Sequence, residues 1–304
     1  MVFTDLQLHV LQWLQHFACP FLDHLLLGIT YLGDEKFYLV LLSLLYWNVS
    51  PKCGYRVVLL FLVSVLLNGG LKELAHTTRP FLAYPDLIRI APGAEVTAGG
   101  CAFPSGHAQG TTTVWGALWV MLRKPWLLVA AVAIIACVSL SRLYLGCHWP
   151  EDVIGGALIG VCFLFVTFRF WDRWEGILPH VPLGVRLGAA AVIPVGLFVV
   201  GEGIDDTPKL AGVLFGFSLA HVWSSHHVVD GGAPSAGIRV VGSLVGLAVQ
   251  GGLYVGLGRY LPPSACLQFL LFAAIGAWVP FAAVLMRRCV RRTLSLPNGA
   301  AVAP

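Results

Sequence analysis

Ionisable side chains stand at three places where an apolar stretch of this 304-residue chain begins or ends. A charge at the centre of a bilayer costs about 2.5–3.5 kcal/mol, so in a membrane protein such residues mark functional positions by default. The three segments are therefore candidate parts of one site. They are Lys72 to Arg79-Pro80, Pro104-Ser105-Gly106-His107, and Ser141-Arg142 with His148 and Asp152.

The cationic side chains in these segments indicate an anionic ligand. Lys72, Arg79 and Arg142 would repel one another in one pocket unless an anion lay among them, and phosphate is the obvious candidate. Arginine offers a planar fork of donors to phosphate oxygens, whereas lysine acts as a point charge. Lys72 and Arg79 are seven residues apart, so they share one face if the helix continues through both.

The tetrapeptide that contains Ser105 immediately precedes an apolar run, which predicts that it forms the first turn of a helix. Serine is a favoured N-cap residue, and the free backbone N–H groups of a helix start attract anions. Gly106 would let the backbone approach a phosphate closely. Taken alone, the tetrapeptide is explained more simply as a capped helix start with a solvated His107.

His148 and Asp152 are four residues apart, and Pro150 lies between them at a favourable first helical position. On a helix, this spacing allows the carboxylate to hold one imidazole nitrogen and leaves the other free to attack. A carboxylate-oriented histidine near Arg142 and a second histidine suits covalent phosphoryl transfer. A lone pair of this kind is more often structural, but its coincidence with the other two segments favours catalysis.

Together, the three segments resemble the three-part signature of the type-2 phosphatidic acid phosphatase superfamily, the lipid phosphate phosphatases. The signature spans 72–152, and the family-like helical core covers about 30–172. The resemblance implies that His148 is the nucleophile that forms a phosphohistidine, that Asp152 orients it, and that His107 is the general acid. It implies a phosphate cradle of Lys72, Arg79, Ser105, Gly106 and Arg142.

The resemblance also implies an enzyme that needs no metal and no other cofactor. The expected substrate is a lipid phosphate, such as phosphatidate, phosphatidylglycerophosphate or a polyprenyl phosphate or diphosphate, together with the surrounding membrane lipids. The chain beyond about 174 resembles the extension of glucose-6-phosphatase-like members, which leaves hydrolysis of a soluble sugar phosphate as an alternative. A noncatalytic anion- or lipid-binding protein or a transporter is the alternative from another class.

Composition places this chemistry in a membrane. Apolar residues make up 58% of the chain and charged residues 11%, against about 45–50% and 25% in soluble domains. The composition therefore disfavours a soluble globular protein, and we expect an all-α, polytopic membrane bundle of about nine spans. The predicted spans are 37–49, 55–74, 106–122, 126–145, 152–171, 186–201, 210–223, 238–258 and 265–286.

The positions of the charges predict the orientation of this bundle. Twelve of the nineteen Lys and Arg residues fall on one side of the predicted spans, which identifies that side as cytoplasmic. The three segments fall on the opposite side, toward the periplasm of a bacterial inner membrane. The net charge of +4 thus reflects topology, and no nucleic-acid partner is expected. The loop from about Ala75 to Pro104 is long enough to be functional.

The first residues of the chain predict an amphipathic helix. Leu6, Val10, Trp13 and Phe17 recur at helical spacing, and polar residues occupy the opposite face. Such a helix either lies in the membrane interface or packs on the protein as an ordinary amphipathic helix. The predicted division is an interfacial helix over 1–24, a phosphatase core over 25–174, a four-span extension over 175–290 and a cytoplasmic tail over 291–304.

The eight cysteines show no metal-ligand spacing and no CxxC pair. Cys101 and Cys147 flank the segments on the predicted oxidising side. They are interpreted either as a disulfide or, preferably, as free packing residues.

Overall fold

The computed structural model describes residues 2–201, 204, 206–227, 235–257 and 264–295. Within these ranges the chain forms twelve α-helices and no strand, which confirms the predicted all-α fold class. The helices are α1 Val2–His16, α2 Pro20–Thr30, α3 Glu35–Asn48, α4 Pro51–Ala75, α5 Pro80–Ala83, α6 Gly106–Leu122, α7 Pro125–Tyr144, α8 Pro150–Ile177, α9 Leu183–Val200, α10 Thr207–His227, α11 Ala236–Gly252 and α12 Ala265–Ser295.

Six helical segments in the described part of the chain are long and apolar enough to cross a membrane. All nine predicted spans fall on helices, but a count of nine is not confirmed. Helix α3 has 14 residues and α6 has 17, and polar residues at both ends of α10 lower its mean hydropathy. The six segments are Pro51–Ala83, Pro125–Tyr144, Pro150–His180, Leu183–Val200, Ala236–Gly256 and Ala265–Cys289.

The chain divides into two compact units. Unit 1 comprises Met1–Leu41 and Arg56–Pro179, and unit 2 comprises Leu42–Tyr55 and His180–Pro304. The end of unit 1 lies close to the predicted end of the core at 174, but the segment 42–55 groups with the C-terminal helices. Helix α12 continues to Ser295, so the predicted tail begins as helix; residues 296–304 lie outside the described part.

Contacts within unit 2 explain why the segment 42–55 belongs there. The indole N–H of Trp47 donates to the carbonyl of Val279 at 2.8 Å. The hydroxyl of Tyr46 lies 2.8 Å from Nδ1 of His221. These polar groups would otherwise be buried without partners, so the hydrogen bonds hold the end of α3 against α10 and α12.

The N-terminal region of unit 1 contains two helices where one interfacial segment is predicted over 1–24. Helix α1 ends at His16, and Pro20 starts α2, because proline fits the first turn of a helix. Helix α2 leads through a 3₁₀ turn, Tyr31–Gly33, into α3. Asp34 starts α3 by accepting the backbone N–H of Lys36 at 2.9 Å.

Helices α6 and α8 approach closely at the position where two of the predicted segments meet. A Cβ atom at Gly156 would lie 2.5 Å from the carbonyl oxygen of Ser105, so only glycine fits without a shift of the backbone. The Ser105 N–H donates to the carbonyl of Asp152 at 2.9 Å. The small residue therefore allows the start of α6 to lie beside the start of α8.

We expect Gly156→Ala to lower the apparent melting temperature of the purified protein, because the new methyl group displaces Ser105 and opens the α6–α8 contact. Gly176→Ala is the matched control on the same helix, since nothing lies within 4 Å of a Cβ atom there. Thermal unfolding in detergent, followed by size exclusion, measures both variants. Equal melting temperatures would contradict the proposed close approach.

Candidate active site

The predicted site residues all lie in unit 1, at the ends of helices. Helix ends present free backbone groups and leave the helix interiors apolar. Lys72 lies in the last turn of α4, Arg79 directly before α5, Ser105 at the N-cap of α6, Gly106 and His107 in the first turn of α6, Arg142 in the last turn of α7, His148 before α8 and Asp152 in the first turn of α8.

His148 and Asp152 form a buried pair, but not by the helical spacing that the sequence suggested. His148 precedes α8 by two residues. The carboxylate of Asp152 caps α8 by accepting the N–H of Trp149 at 2.7 Å, and the same oxygen lies 3.3 Å from Nδ1 of His148. With the proton on Nδ1, Nε2 carries the lone pair.

Arg79 is the cation closest to His148. Its Nη1 lies 3.1 Å from Nε2 of His148 and donates to the carbonyl of Cys147 at 2.9 Å. Its other nitrogens donate to the carbonyls of Gly99, Gly100 and Cys101. The guanidinium is thus held by backbone oxygens on three sides and is 2% exposed.

The helix that carries Lys72 does not continue through Arg79, so the condition for the two residues to share one helical face is not met. Helix α4 ends at Ala75, and Arg79 has an extended backbone, with φ −69° and ψ 151°. The reason is Pro80, because the residue before a proline is disfavoured in the helical region. Lys72 is nevertheless close enough to Arg79, Arg142 and Asp152 for their charges to act on its amine.

Arg142 is fully buried and is held by two threonines that sequence reasoning missed. Its Nη1 donates to Oγ1 of Thr97 at 2.8 Å and to Oγ1 of Thr30 at 3.0 Å. Its Nη2 donates to the carbonyl of Thr97 at 3.0 Å. The length of the loop 75–104 marked the region of Thr97 as functional without naming a residue, and no sequence signal pointed to Thr30, the last residue of α2.

That loop is fixed to the neighbouring helices by an ion pair that the sequence did not reveal. Arg89 forms a bidentate pair with Asp23 of α2, with N–O distances of 2.7 and 3.1 Å. The hydroxyl of Tyr144 donates to the same carboxylate at 2.7 Å. Planar fork-to-carboxylate pairing fixes orientation as well as distance, so the loop is held against the end of α7.

Three buried polar atoms of the site have no hydrogen-bond partner among the described residues: Nε2 of His107, Oδ1 of Asp152 and Nε of Arg142. A buried polar group left unpaired costs about 1–3 kcal/mol, so these atoms favour a polar ligand. Ser105 is the N-cap of α6, as predicted, and its Oγ accepts from the N–H of Ala108 at 3.5 Å.

Gly33 is a further residue of the site that sequence reasoning missed. A Cβ atom there would lie 3.1 Å from Cδ2 of His107 and 2.8 Å from Cγ1 of Val138. The turn between α2 and α3 therefore forms a wall directly against the His107 ring. Its only signal in the sequence was the interruption of an apolar stretch by Gly33 and Asp34.

Burial and charge keep His148 neutral. Desolvation lowers the pKa of His148 well below its usual 6.5, and the nearby Arg79, Arg142 and Lys72 lower it further. A neutral imidazole is a nucleophile through the lone pair on Nε2, which in this structure accepts the N–H of Arg79 at 3.1 Å. The site can hold an oxyanion among its cations and present Nε2 of His148 to it as a nucleophile.

Cys101 and Cys147 are both free, which agrees with the preferred interpretation of these two residues as packing cysteines.

Comparisons with known proteins identify the family of this chain. A family model described as "PAP2 superfamily" matches residues 54–175. The chain is 30% identical over 150 residues to an undecaprenyl-diphosphatase of Sulfolobus acidocaldarius, an alignment that covers 49% of this chain and 70% of that protein. The chain belongs to the PAP2 superfamily. The match includes all eight predicted site residues of this PAP2 chain.

Another relative of this PAP2 protein is sphingosine-1-phosphate phosphatase 2 of Mus musculus, with 27% identity over 205 residues. That alignment covers 62% of this chain and 56% of the mouse protein, so the chain spans about half the length of this relative. Among solved structures, a PAP2-type phosphatidylglycerolphosphate phosphatase from Bacillus subtilis matches 57% of this chain and 87% of its own, with 24% identity and a TM-score of 0.47.

We expect Thr97→Val to weaken oxyanion binding about tenfold, because Arg142 loses a hydrogen bond to a charged group at constant side-chain volume. Titration calorimetry with orthovanadate measures the change. Thr167→Val is the matched control: it removes a hydroxyl that donates to the carbonyl of Phe163 on α8 at 2.7 Å. An unchanged affinity in Thr97→Val would contradict the positioning of Arg142 by Thr97.

Proposed function

We propose that this protein is a metal-independent membrane phosphatase that hydrolyses lipid phosphates through a phosphohistidine on His148. The observation that carries the proposal is the position of His148, with Nδ1 on Asp152 and Nε2 3.1 Å from Nη1 of Arg79. The imidazole is thereby oriented on one side and faces a phosphate-binding cation on the other. Relatives named for phosphatase activity on sphingosine 1-phosphate and undecaprenyl diphosphate support the same class.

The reaction proceeds in two displacements. Nε2 of His148 attacks the phosphorus, the N–P bond forms and the P–O bond to the lipid alcohol breaks. The negative charge of the bound phosphate favours the protonated form of His107, which donates its proton to the departing oxygen. In the second step a water attacks the phosphorus and gives its proton to His107, and the N–P bond breaks. Inorganic phosphate leaves, and both histidines return to their starting states.

Electrostatic stabilisation of the transferring phosphoryl group is assigned to the fixed cations. Phosphoryl transfer spreads charge over three equatorial oxygens, and catalysis depends on donors already placed around them. Arg79 and Arg142 are held by protein oxygens before any substrate binds. Lys72 and the free N–H groups at the start of α6 complete the cradle.

The lipid substrate class follows from where the site lies along the helices. The site residues are at the ends of α4, α7 and α8, three of the segments that are long and apolar enough to span a membrane. A phosphate headgroup would meet these ends while its acyl or polyprenyl tail stays in the bilayer. The bias of basic residues toward the other side supports an outward position for this end, at the periplasmic face of a bacterial inner membrane.

We expect His148→Ala to lose at least a thousandfold in turnover, because no other nitrogen takes the phosphoryl group. His180→Ala, which changes an exposed histidine of unit 2 outside the site, keeps wild-type activity. Rapid quenching in alkaline detergent after mixing with phosphatidate labelled in its phosphate traps an alkali-stable, acid-labile phosphoprotein in wild type and not in His148→Ala. Glucose 6-phosphate is the second substrate, and a higher kcat/KM for it would favour the sugar-phosphate alternative. Anion transport without phosphate release would favour a transporter.

The acidic limb of the pH profile reports the His148 environment. The pKa of His148 lies below 6.5 because of burial and the neighbouring cations. His148 therefore stays neutral at a lower pH than an exposed histidine, and its protonation lowers kcat/KM only below this lowered pKa. Arg79→Gln removes one cation, raises the pKa of His148 and moves the acidic limb to higher pH. The substrate phosphate titrates near pH 6 in both proteins, so the difference between their profiles isolates His148. Coinciding profiles would contradict the assignment.

A further inference from the structure

Helix α1 has three distinct faces, each about a third of its circumference. One face packs on the protein through Gln7, Leu8, Leu11 and Gln15; the second carries Asp5, His9, Gln12 and His16. The third face is apolar and uncovered: Leu6 is 60% exposed, Val10 37%, Trp13 64% and Phe17 54%. A helix with separate protein, polar and apolar faces suits a position where protein, water and lipid meet.

The packed face attaches α1 to the ends of two predicted spans. Oε1 of Gln7 accepts the N–H of Glu151, the second residue of α8, at 3.1 Å. Nε2 of Gln15 donates to the carbonyl of Tyr144, the last residue of α7, at 3.0 Å. The two glutamines are roughly 12 Å apart along α1, a little more than the usual spacing of packed helices. Helix α1 therefore runs across the ends of α7 and α8.

The contact with α8 also sets the level of α1 along that span. The exposed apolar stripe of α8 begins at Ile154 and continues through Leu158, Val161 and Phe165. Ile154 follows Glu151 by three residues, or roughly 4.5 Å along the helix axis. Helix α1 thus lies at the level where the exposed apolar surface of α8 starts.

We propose that α1 is an interfacial helix whose apolar face, Leu6, Val10, Trp13 and Phe17, inserts into the phospholipid bilayer and sets the depth of the active site. Amphipathic helices with aromatic residues on the apolar side bind at the boundary between headgroups and acyl chains. The uncovered face of α1 and the exposed apolar stripe of α8 thus begin at the same level. The Trp13 and Phe17 rings also contact each other edge to face at 5.4 Å.

Hydrogen bonds connect α1 to residues that neighbour the active-site residues in the chain. Gln7 binds the residue next to Asp152, and Gln15 binds the chain two residues after Arg142. Gln15 also exchanges two hydrogen bonds with the backbone of Arg89, at 2.8 and 3.1 Å, in the loop that holds both site arginines. This part of the inference rests on the proposed function, because it concerns where a lipid phosphate meets the site.

The location of α1 is tested without any assay of activity. Full-length wild type and Trp13→Phe are reconstituted in phosphatidylcholine vesicles that contain lipids brominated either near the carbonyl or near the methyl end of the acyl chain. The fluorescence difference between the two proteins isolates Trp13 from the other tryptophans. We expect this difference signal to be quenched by shallow bromines more strongly than by deep ones. A Trp13 signal that neither lipid quenches would overturn the proposal.

The effect on substrate access is tested with Trp13→Ser/Phe17→Ser, and Asp5→Ser/His9→Ser on the polar face of the same helix is the control. The apolar-face variant should lose about tenfold in kcat/KM for phosphatidate in vesicles, the equivalent of about 1.4 kcal/mol, and keep its value for water-soluble p-nitrophenyl phosphate. The control variant keeps both values. An equal loss on both substrates would mean that α1 serves only to stabilise the fold, and would overturn the depth-setting role.

Two further outcomes separate this inference from its rivals. If the wild type hydrolyses neither phosphate but Trp13 is quenched by shallow bromines, the proposed function fails and the interfacial location stands. If Trp13 is protected from both lipids and the apolar-face variant abolishes a crosslinked dimer, the face is covered by a second copy of the chain and the proposal is overturned.

Discussion

Repulsion among buried cations is the constraint on which the site depends. Arg79 and Arg142 lie beside a histidine in a buried pocket, and Lys72 is within reach of their charges. Buried guanidinium groups lose their contact with bulk water, so they need other oxygen partners. They find them in the carbonyls of 97–101 and in two threonine hydroxyls, which stabilise the cations without neutralising them. The positive potential remains available to a phosphate.

This requirement explains why a long loop is built into a helical membrane protein. Helical carbonyls are engaged within their own helix, so only irregular backbone can offer several oxygens to one arginine. The loop 75–104 supplies them, and its own position is fixed by Asp23, Arg89 and Tyr144 on the outside of the pocket. Gln15 of α1 also donates a hydrogen bond to this loop, at the carbonyl of Arg89. Elements distant in sequence therefore hold the loop in one position.

Predictions from sequence succeeded where a structure depends on neighbouring residues alone. They failed where it depends on where a helix ends and how the chain then turns. Ser105 caps α6 because its hydroxyl and the adjacent apolar run are enough to start a helix. Arg79 reaches the site from a turn rather than from α4, since Pro80 ends the helical path. Asp152 meets His148 by capping α8, an arrangement that residue spacing does not distinguish from a continuous helix.

Sequence by itself determined the membrane class, the helices and the identity of the ionisable groups, because hydropathy, capping and charge are properties of short segments. Tertiary structure alone decided which neutral residues serve the site. Thr30, Thr97 and Gly33 carry no local mark of function, and their roles arise from the atoms that the fold places next to them. Helix α1 shows the same division. A period of 3.6 residues in the sequence reveals its apolar stripe, but only the packing shows that a different face of the helix binds the protein.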